Sequence, residues 1–358
     1  MESVDLSSHW NLIAKIRVDH EAFVHGRREL SLALRSVGMS ANPICLHVIG
    51  DTRTGKSTLL GDFVQQHARR ITREGMKQTV VYAKIPENGT VKGLLEDLLK
   101  ALGDPYWYRG SKTNQTHRLL TLLEKVGCRM IILDEFQHLS DKGQRKRLRS
   151  TADWLKMLVD SKQWALVAAG LPESASVIWS NRQLRERFYA PIMLPMFDWR
   201  NAAERRQFRG ILKAFQVQLH PFELPDLAGD AIAIRIYLAT AGRVGNLAKL
   251  LERAVHNAIE EGVAKIRIED LQTAFYQAVW YAARFPLAKG PFGEGDDEYR
   301  SEVLLSQVVA IANEDSYADN SGEVSVTCDM PVSTEVVQIT RERKRFARRA
   351  KEALRGTA

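Results

Sequence analysis

The sequence predicts an α/β protein in which a parallel five-stranded sheet flanked by helices precedes an all-helical region and a flexible C-terminal tail. Three observations predict this fold. Short apolar runs alternate with helical patterns over about 150 residues, which is typical of parallel sheets covered on both faces. A glycine-rich loop separates the first apolar run from the helix that follows it. After about residue 200 the strand signal fades and helical periodicity remains.

Five apolar runs carry the strand signal. The predicted strands are Ile44–Ile49, Thr79–Ile85, Met130–Leu133, Trp164–Ala169 and Ile192–Met196. Apolar residues at three- and four-residue spacing predict helices in the first forty residues, between the strands and after them. The later predicted helices are Ser57–Arg70, Val91–Leu102, Gln115–Val126, Arg145–Asp160, Ala202–Phe215, Asp230–Thr240, Gly245–Glu260 and Ile268–Ala283.

These patterns divide the chain into four parts. Residues 1–40 are predicted to form an N-terminal helical extension, residues 41–200 the sheet-containing core, and residues 201–286 a helical lid. Gly290–Asp297 is rich in glycine and acidic residues, which is typical of a flexible linker. Residues 287–358 are therefore predicted to be a linker and a basic C-terminal tail.

The loop after the first strand has the spacing of a phosphate-binding loop. Gly50–Ser57 reads G-D-T-R-T-G-K-S and fits G-x-x-x-x-G-K-[ST] at every fixed position. Its glycines allow backbone N–H groups to turn toward a phosphate, and the helix N-terminus favours the same anion. We expect Lys56 to reach the β- and γ-phosphates of ATP and Ser57 to ligate Mg²⁺. The predicted nucleotide-binding residues are Gly50, Asp51, Thr52, Arg53, Thr54, Gly55, Lys56, Ser57 and Thr58.

The third predicted strand ends in two carboxylates. In Met130–Glu135, four apolar residues precede Asp134 and Glu135. We expect Asp134 to hold Mg²⁺, which prefers oxygen ligands, and Glu135 to orient and polarise the attacking water. An apolar run ending in Asp-Glu is by itself a common strand exit. Together with the upstream loop, however, it predicts an ATPase.

Two segments offer arginines that could neutralise charge on the γ-phosphate. Asn181–Phe188 contains Arg182, Arg185 and Arg187 before the fifth strand, and Arg243 opens a helix in the all-helical region. A solvated helical face is the alternative for the first group. For Arg243 the alternative is an arginine at a helix start that pairs with an acid.

The charge distribution favours an anionic partner. The formal net charge is +8, and five of the eight residues in Lys142–Arg149 are basic. Lysine and arginine side chains that neutralise phosphates dominate non-specific affinity for DNA. A solvated basic surface is the alternative. The predicted DNA-binding residues are Lys142, Arg145, Lys146, Arg147 and Arg149, with Lys112 and Thr113 in a second candidate loop.

Other bulk features narrow the class of protein. No apolar run reaches the roughly 18 residues that a membrane span needs. Cys45, Cys128 and Cys328 lack metal-ligand spacing, so we expect reduced thiols in a cytoplasmic protein that does not bind membranes. A second basic run, Arg341–Arg355, suits a helix that forms on a partner, and a disordered solubilising tail is the alternative.

Taken in order, these motifs resemble those of AAA+ P-loop ATPases, from about Ile44 to Arg284. Within that span, two runs resemble the TniB/TnsC group of ATP-dependent transposition regulators, which are related in role to MuB. These runs are Leu133–Leu139 (L-D-E-F-Q-H-L) and Asn181–Phe188 (N-x-x-L-R-E-R-F). The resemblance implies a ring or helical filament of this protein around double-stranded DNA, a DDE-type transposase as partner, and a targeting protein of the TniQ type.

The resemblance also implies roles for particular residues. Arg187 matches the arginine finger, which acts on ATP held by a neighbouring subunit, and Arg243 matches the sensor-two arginine. A polar sensor-one residue is expected at the exit of the fourth strand, but Ala168–Pro172 supplies none. Slow hydrolysis is therefore expected.

Two other functions stay open at this level. A helicase-loader or initiator-like AAA+ ATPase would carry a winged-helix domain after the lid, and the residues after Gly290 are too polar and too few to predict one. A defence or signalling NTPase would carry a sensor or repeat domain, and the sequence shows no such pattern. We therefore predict a DNA-binding AAA+ regulator of transposition that oligomerises on duplex DNA with ATP. It would link target selection to recruitment of a transposase.

Overall fold

A parallel sheet organises the first half of the chain. The computed structural model describes residues 6–321 apart from 74, 88, 140–144, 162 and 296, and apart from the side chains of 145–147 and 315–321. The strands of this part are β1 (Leu46–Gly50), β2 (Arg70–Thr72), β3 (Gly75–Lys77), β4 (Val80–Lys84), β5 (Met130–Asp134), β6 (Ala165–Gly170) and β7 (Ile192–Leu194). Within the described residues, five strands form one sheet in the order β4-β5-β6-β1-β7, and each neighbouring pair is parallel. The five predicted strands are confirmed.

The strands β2 and β3 form a separate antiparallel pair that we did not predict. Their residues are almost all exposed. A strand of three residues without a buried face leaves no periodic apolar signal in the sequence.

The helices follow the predicted order. They are α1 (Leu12–Lys15), α2 (Glu21–Ser36), α3 (Lys56–Gln66), α4 (Val91–Ala101), α5 (Lys112–Lys125), α6 (Arg145–Asp160), α7 (Ala175–Trp179), α8 (Arg182–Arg185), α9 (Ala202–Gln218), α10 (Asp230–Thr240), α11 (Val244–Glu260), α12 (Ile268–Ala278) and α13 (Glu302–Ser321). In the first forty residues, α1 and α2 are separated by a non-helical segment, residues 16–20. Across the part of the chain that is described, no helix combines the length and apolar character needed to cross a membrane.

The central strands of the sheet are buried at every position, because helices cover both of its faces. Alternate residues of a strand point to opposite faces. Met130 and Ile132 of β5 pack with α2 and α3, whereas Ile131 and Leu133 pack with α4 to α8. The carboxyl ends of the parallel strands meet at one edge, which is where ligands bind in such sheets.

A further hydrophobic core joins α9 to α12, with Phe208, Tyr237 and Phe275 fully buried in it. Ile13 and Ile16 belong to this lid core, whereas α2 packs against the sheet. Residues 1–40 were predicted to be an N-terminal extension. The described part of this segment is instead divided between the two cores, because its apolar residues face different neighbours.

The prediction of a flexible linker at Gly290–Asp297 is wrong. Phe292 and Tyr299 are buried in the lid core, and Leu304, Val308 and Ala312 of α13 follow them there. The lid therefore continues past residue 286 into α13.

One arginine holds this segment against the lid. Arg235 of α10 donates hydrogen bonds to the carbonyl oxygens of Gly293 and Gly295, and its guanidinium lies 4.3 Å from the ring centroid of Tyr299. Gly290 and Gly295 have positive φ, which is the conformation that glycine permits at turns. The glycines of this segment thus permit a tight turn that packs on the lid, and they do not indicate a flexible linker. The basic run Arg341–Arg355 lies outside the described residues.

We predict that Tyr299→Ala lowers the free energy of unfolding by about 3 kcal/mol, because it opens a cavity in the lid core. Denaturant unfolding measures the change. Tyr189→Ala is the matched control, because that ring is 60% exposed and its loss should change stability by less than about 0.5 kcal/mol. Equal stability of both variants would show that the segment does not pack on the lid.

Candidate active site

The phosphate-binding loop joins β1 to α3 and has the backbone that its motif requires. Gly55 has φ 98° and Arg53 has φ 59°, both in the left-handed region. A Cβ atom at Gly50 would lie 2.5 Å from Thr54 Oγ1 and 2.7 Å from the carbonyl oxygen of Leu194. No larger residue fits at position 50 without moving the loop.

Lys56 begins α3, and its ammonium group lies over this loop. Nζ donates hydrogen bonds to the carbonyl oxygens of Gly50 at 2.9 Å and Asp51 at 2.8 Å. Burial lowers the pKa of Lys56, while the charges of Glu135 and Asp134 oppose that change. The loop therefore holds a buried cation beside two carboxylates, at the place where the motif predicts phosphates.

Asp134 ends β5 and is only 1% exposed. Its Oδ2 accepts hydrogen bonds from Ser57 Oγ at 3.0 Å and from the Tyr82 hydroxyl at 2.9 Å, and its Oδ1 accepts one from the backbone N–H of Glu135 at 2.8 Å. The Ser57 hydroxyl and the Asp134 carboxylate are oxygen donors of the kind that Mg²⁺ prefers, so the residues present fit this ion. Burial, followed by the charge of Asp134, raises the pKa of Tyr82, which keeps its hydroxyl a donor. Tyr82 was not identified from the sequence.

Glu135 follows Asp134 in a left-handed backbone conformation, with φ 55°. Its carboxylate accepts a hydrogen bond from Gln137 Nε2 at 2.6 Å and pairs with Lys84 Nζ at 3.4 Å. Burial alone would raise the pKa of Glu135, but the hydrogen bond from Gln137 and the charge of Lys84 lower it overall. The carboxylate is therefore held ionised, as a base must be before it accepts a proton.

Gln137 also contacts the exit of β6. Its Oε1 accepts a hydrogen bond from the backbone N–H of Leu171 at 3.1 Å. A Cβ atom at Gly170 would lie 2.6 Å from the same oxygen, so only glycine leaves room for it. The strand exit supplies no polar side chain of its own, and Gln137 brings one there from the 3-10 helix Phe136–Leu139 that follows β5. Gln137 lies within the run Leu133–Leu139, but the sequence alone does not predict this role for it.

A cavity of about 620 Å³ adjoins the phosphate-binding loop, a size typical of small-molecule sites. The loop and α3 form one wall, Val244 and Ala248 of the lid a second, and residues 13–18 a third. Arg17 fixes that third wall through an ion pair with Asp62 of α3 at 2.7 Å. We infer that a nucleotide base would lie here. The N-terminal wall was missed because residues 16–20 were interpreted as helical.

The lid touches the loop directly at the start of α11. The backbone N–H of Gly245 donates to the carbonyl oxygen of Arg53 at 2.8 Å. A Cβ atom at Gly245 would lie 2.7 Å from that oxygen, so this approach requires glycine.

Arg243 is buried between the lid and the loop, at 3% exposure. Its guanidinium donates to the carbonyl oxygen of Ala312 at 2.7 Å and to Asn313 Oδ1 at 3.0 Å, and it lies 3.6 Å from Asp51 Oδ2. The sequence left a phosphate contact and a pairing with an acid as alternatives. The structure shows a pairing with an acid that itself belongs to the phosphate-binding loop.

Arg187 lies at the opposite edge of the sheet from the loop. Phe188, next to it, pairs with Cys45 before β1, whereas the loop begins at Gly50. Since a strand advances about 3.3 Å per residue, roughly 16 Å separates Arg187 from the loop of its own chain. Its guanidinium donates to Asn42 Oδ1 at 2.9 Å and Asp160 Oδ1 at 3.0 Å, beside a surface cleft.

The two other arginines of this segment have different environments. Arg182 is exposed and pairs with Glu186 at 3.0 Å. Arg185 lies 4.9 Å from the ring centroid of Trp179, which is itself exposed.

The candidate DNA-binding residues are partly described. Lys112 and Thr113 are exposed in the first turn of α5, and Arg149 is exposed on α6. Trp154 Nε1 of α6 donates to Thr116 Oγ1 of α5 at 3.3 Å, which brings these two helices together. Lys142 and the side chains of Arg145, Lys146 and Arg147 lie outside the described part.

Comparison with known protein families gives one match at this site. The family described as bacterial TniB protein matches residues 30–201, which include the phosphate-binding loop, both carboxylates and the arginine segment. No curated protein shows significant sequence similarity to the chain.

Several solved structures share the fold of this chain. The ORC2 protein of Aeropyrum pernix in its ADPNP-ADP complexes has a TM-score of 0.55 at 14% identity, covering 78% of this chain and 75% of that one. The Aeropyrum pernix ORC1 protein in complex with DNA has a TM-score of 0.55 at 16% identity, covering 85% and 86%. Cdc6p from Pyrobaculum aerophilum has a TM-score of 0.53 at 15% identity, covering 76% of each chain. The predicted fold class, an AAA+ P-loop ATPase, is confirmed.

We predict that Gln137→Leu slows ATP turnover at least about tenfold while nucleotide affinity stays near that of the wild type, because Gln137 orients Glu135. The hydrogen bond from Gln137 helps to lower the pKa of Glu135, so its loss raises that pKa. The acid limb of the pH–rate profile should consequently move to higher pH. ATPase rates measured across pH check both effects.

Glu135→Gln is the reference for this test and should bind nucleotide without turnover at any pH. Gln66→Leu, on an exposed glutamine at the end of α3, is the matched control. An acid limb that stays in place in Gln137→Leu would contradict the assigned role.

Proposed function

We propose that the protein regulates transposition, because residues 30–201 match the family described as bacterial TniB protein and the chain has the AAA+ ATPase fold. In this proposal it assembles on duplex DNA with ATP and links target selection to recruitment of a transposase. The observation that carries the proposal is the family match, because it spans the whole catalytic half of the site. A DDE-type transposase and a TniQ-like targeting protein are the proposed protein partners.

Hydrolysis would use the residues at the carboxyl edge of the sheet. Lys56 binds the β- and γ-phosphates, and Glu135 accepts the proton of the attacking water. Ser57 and Asp134 would hold Mg²⁺, which would supply positive charge to neutralise the phosphates. Gln137 and Lys84 keep Glu135 ionised and oriented. Tyr82 fixes the Asp134 carboxylate by the hydrogen bond described above.

Arg187 would complete the site of a neighbouring subunit. Its separation from its own loop, roughly 16 Å by strand geometry, favours a role in trans. Its ion pair with Asp160 is partly exposed, with side chains 30% and 35% accessible. Such pairs contribute little stability, so exchange of Asp160 for a phosphate costs little. Assembly would then be needed for hydrolysis.

Duplex DNA would bind along α5 and α6. The hydrogen bond between Trp154 and Thr116 places the helix carrying Lys112 and Thr113 beside the helix carrying Arg149. Contacts from such residues to phosphates carry no sequence information. This favours binding to many target sequences, which suits a regulator of target choice.

We predict that the protein binds duplex DNA only with ATP and with little sequence preference. The combined substitution Arg145→Ala, Lys146→Ala and Arg147→Ala should flatten the log–log salt slope of binding by up to about 0.9 for each lost phosphate contact. Fluorescence anisotropy over a salt series measures the slope. Alanine at Arg206, Lys213 and Lys265, which are exposed on the lid, is the matched control. Absent or nucleotide-independent DNA binding would refute the proposed function.

We further predict that Arg187→Ala binds nucleotide as an isolated subunit but weakens ATP-driven assembly and slows turnover. Mixing it with Lys56→Ala protein should restore part of the ATPase rate. At mixed interfaces an intact loop meets an intact arginine.

Arg182→Ala is the matched control for this experiment, since Arg182 is exposed and paired with Glu186. It should retain turnover when tested alone. If mixing gives no recovery and Arg182→Ala or Arg185→Ala loses turnover instead, the finger is not Arg187.

A further inference from the structure

The loop between α4 and α5 presents an aromatic and cationic surface that no motif accounts for. Tyr106 is 55% exposed and Tyr108 is 50% exposed. The guanidinium of Arg109 lies 5.2 Å from the ring centroid of Tyr106 and 5.5 Å from that of Tyr108. The two exposed rings therefore hold a cation against them, and we call these three residues the tyrosine platform.

The backbone of the platform is fixed from below. Arg118 of α5 donates to the carbonyl oxygens of Tyr106 at 2.7 Å and Arg109 at 3.0 Å. It also pairs with the buried Asp104 at 2.6 Å. A surface loop held in this way loses little conformational entropy when it binds a partner. The platform is thus pre-organised.

The charge around the platform suits an anion. Residues 105–117 contain no Asp or Glu, whereas Arg109 and Lys112 are basic. The neighbouring Asp104 is buried and paired with Arg118. Beyond Lys112, the contact between α5 and α6 extends the surface toward the exposed Arg149.

We propose that Tyr106 and Tyr108 contact the backbone of duplex DNA, an inference that rests on the proposed function. Tyrosine hydroxyls donate hydrogen bonds to phosphate oxygens, as in many protein–DNA interfaces. The rings pack against deoxyribose, while Arg109 supplies a charge held in place between them. Lys112, in the first turn of α5, contacts an adjacent phosphate. The two tyrosines add affinity that does not depend on counterion release, whereas Arg109 adds affinity that does.

Salt dependence separates these contributions. The double variant Tyr106→Ala, Tyr108→Ala should weaken ATP-dependent binding of a random-sequence duplex about tenfold at every salt concentration. Its salt slope should equal that of the wild type, because neutral groups release no counterions. Arg109→Ala should weaken binding and also flatten the slope by about 0.9. Tyr276→Ala, on the lid, is the matched control for an exposed tyrosine and should leave both quantities unchanged.

Thermal unfolding close to that of the wild type shows that each variant folds. The double variant Tyr106→Phe, Tyr108→Phe keeps the rings and should weaken binding about threefold through the lost hydroxyls. If both double variants bind the random-sequence duplex as tightly as the wild-type protein does, the proposed role of the tyrosine platform is wrong, while the proposed function stands. A wild-type protein that binds no duplex DNA would overturn both.

Discussion

The buried carboxylate of Asp134 is the interaction on which the rest of the ATPase core depends. A charge removed from water is stable only when it is paired or hydrogen-bonded. Asp134 is satisfied by groups from three segments: Ser57 at the start of α3, Tyr82 of β4 and the N–H of Glu135. Moving any of these segments would leave a buried charge without a partner. Asp134 therefore ties the start of α3, beside the phosphate-binding loop, to β4 and β5.

The neighbouring carboxylates of Asp134 and Glu135 have different environments. Asp134 accepts hydrogen bonds on both oxygens and is almost inaccessible, which suits a fixed ligand. Glu135 is partly accessible and contacts two side chains, Lys84 and Gln137, that act on its charge. Its left-handed backbone turns it away from the strand, a conformation that other residues seldom adopt without support. The two carboxylates, one residue apart, therefore differ in accessibility and in the groups that contact them.

The sheet and the phosphate-binding loop were predictable because their signals are local. Buried strands need continuous apolar runs, and the loop needs glycine at positions fixed by its own backbone. Tyr82 and Gln137 were not predictable, because their roles depend on strand register and on the space that Gly170 leaves 33 positions beyond Gln137. The turn after Gly290 was misjudged for a related reason. Composition does not distinguish glycine used for flexibility from glycine used in a turn that Arg235 holds from another helix.

The contacts of Arg243 have a consequence for how distant parts of the chain communicate. One buried guanidinium contacts Asp51 in the phosphate-binding loop and residues Ala312 and Asn313 of α13. A change in the loop and a change in α13 both alter the contacts of the same guanidinium. Coupling of this kind between two sites is reciprocal. If nucleotide binding favours one position of α13, then α13 in that position favours nucleotide binding by the same free energy. Arg243 thus links the phosphate-binding loop to α13, the last helix of the described residues.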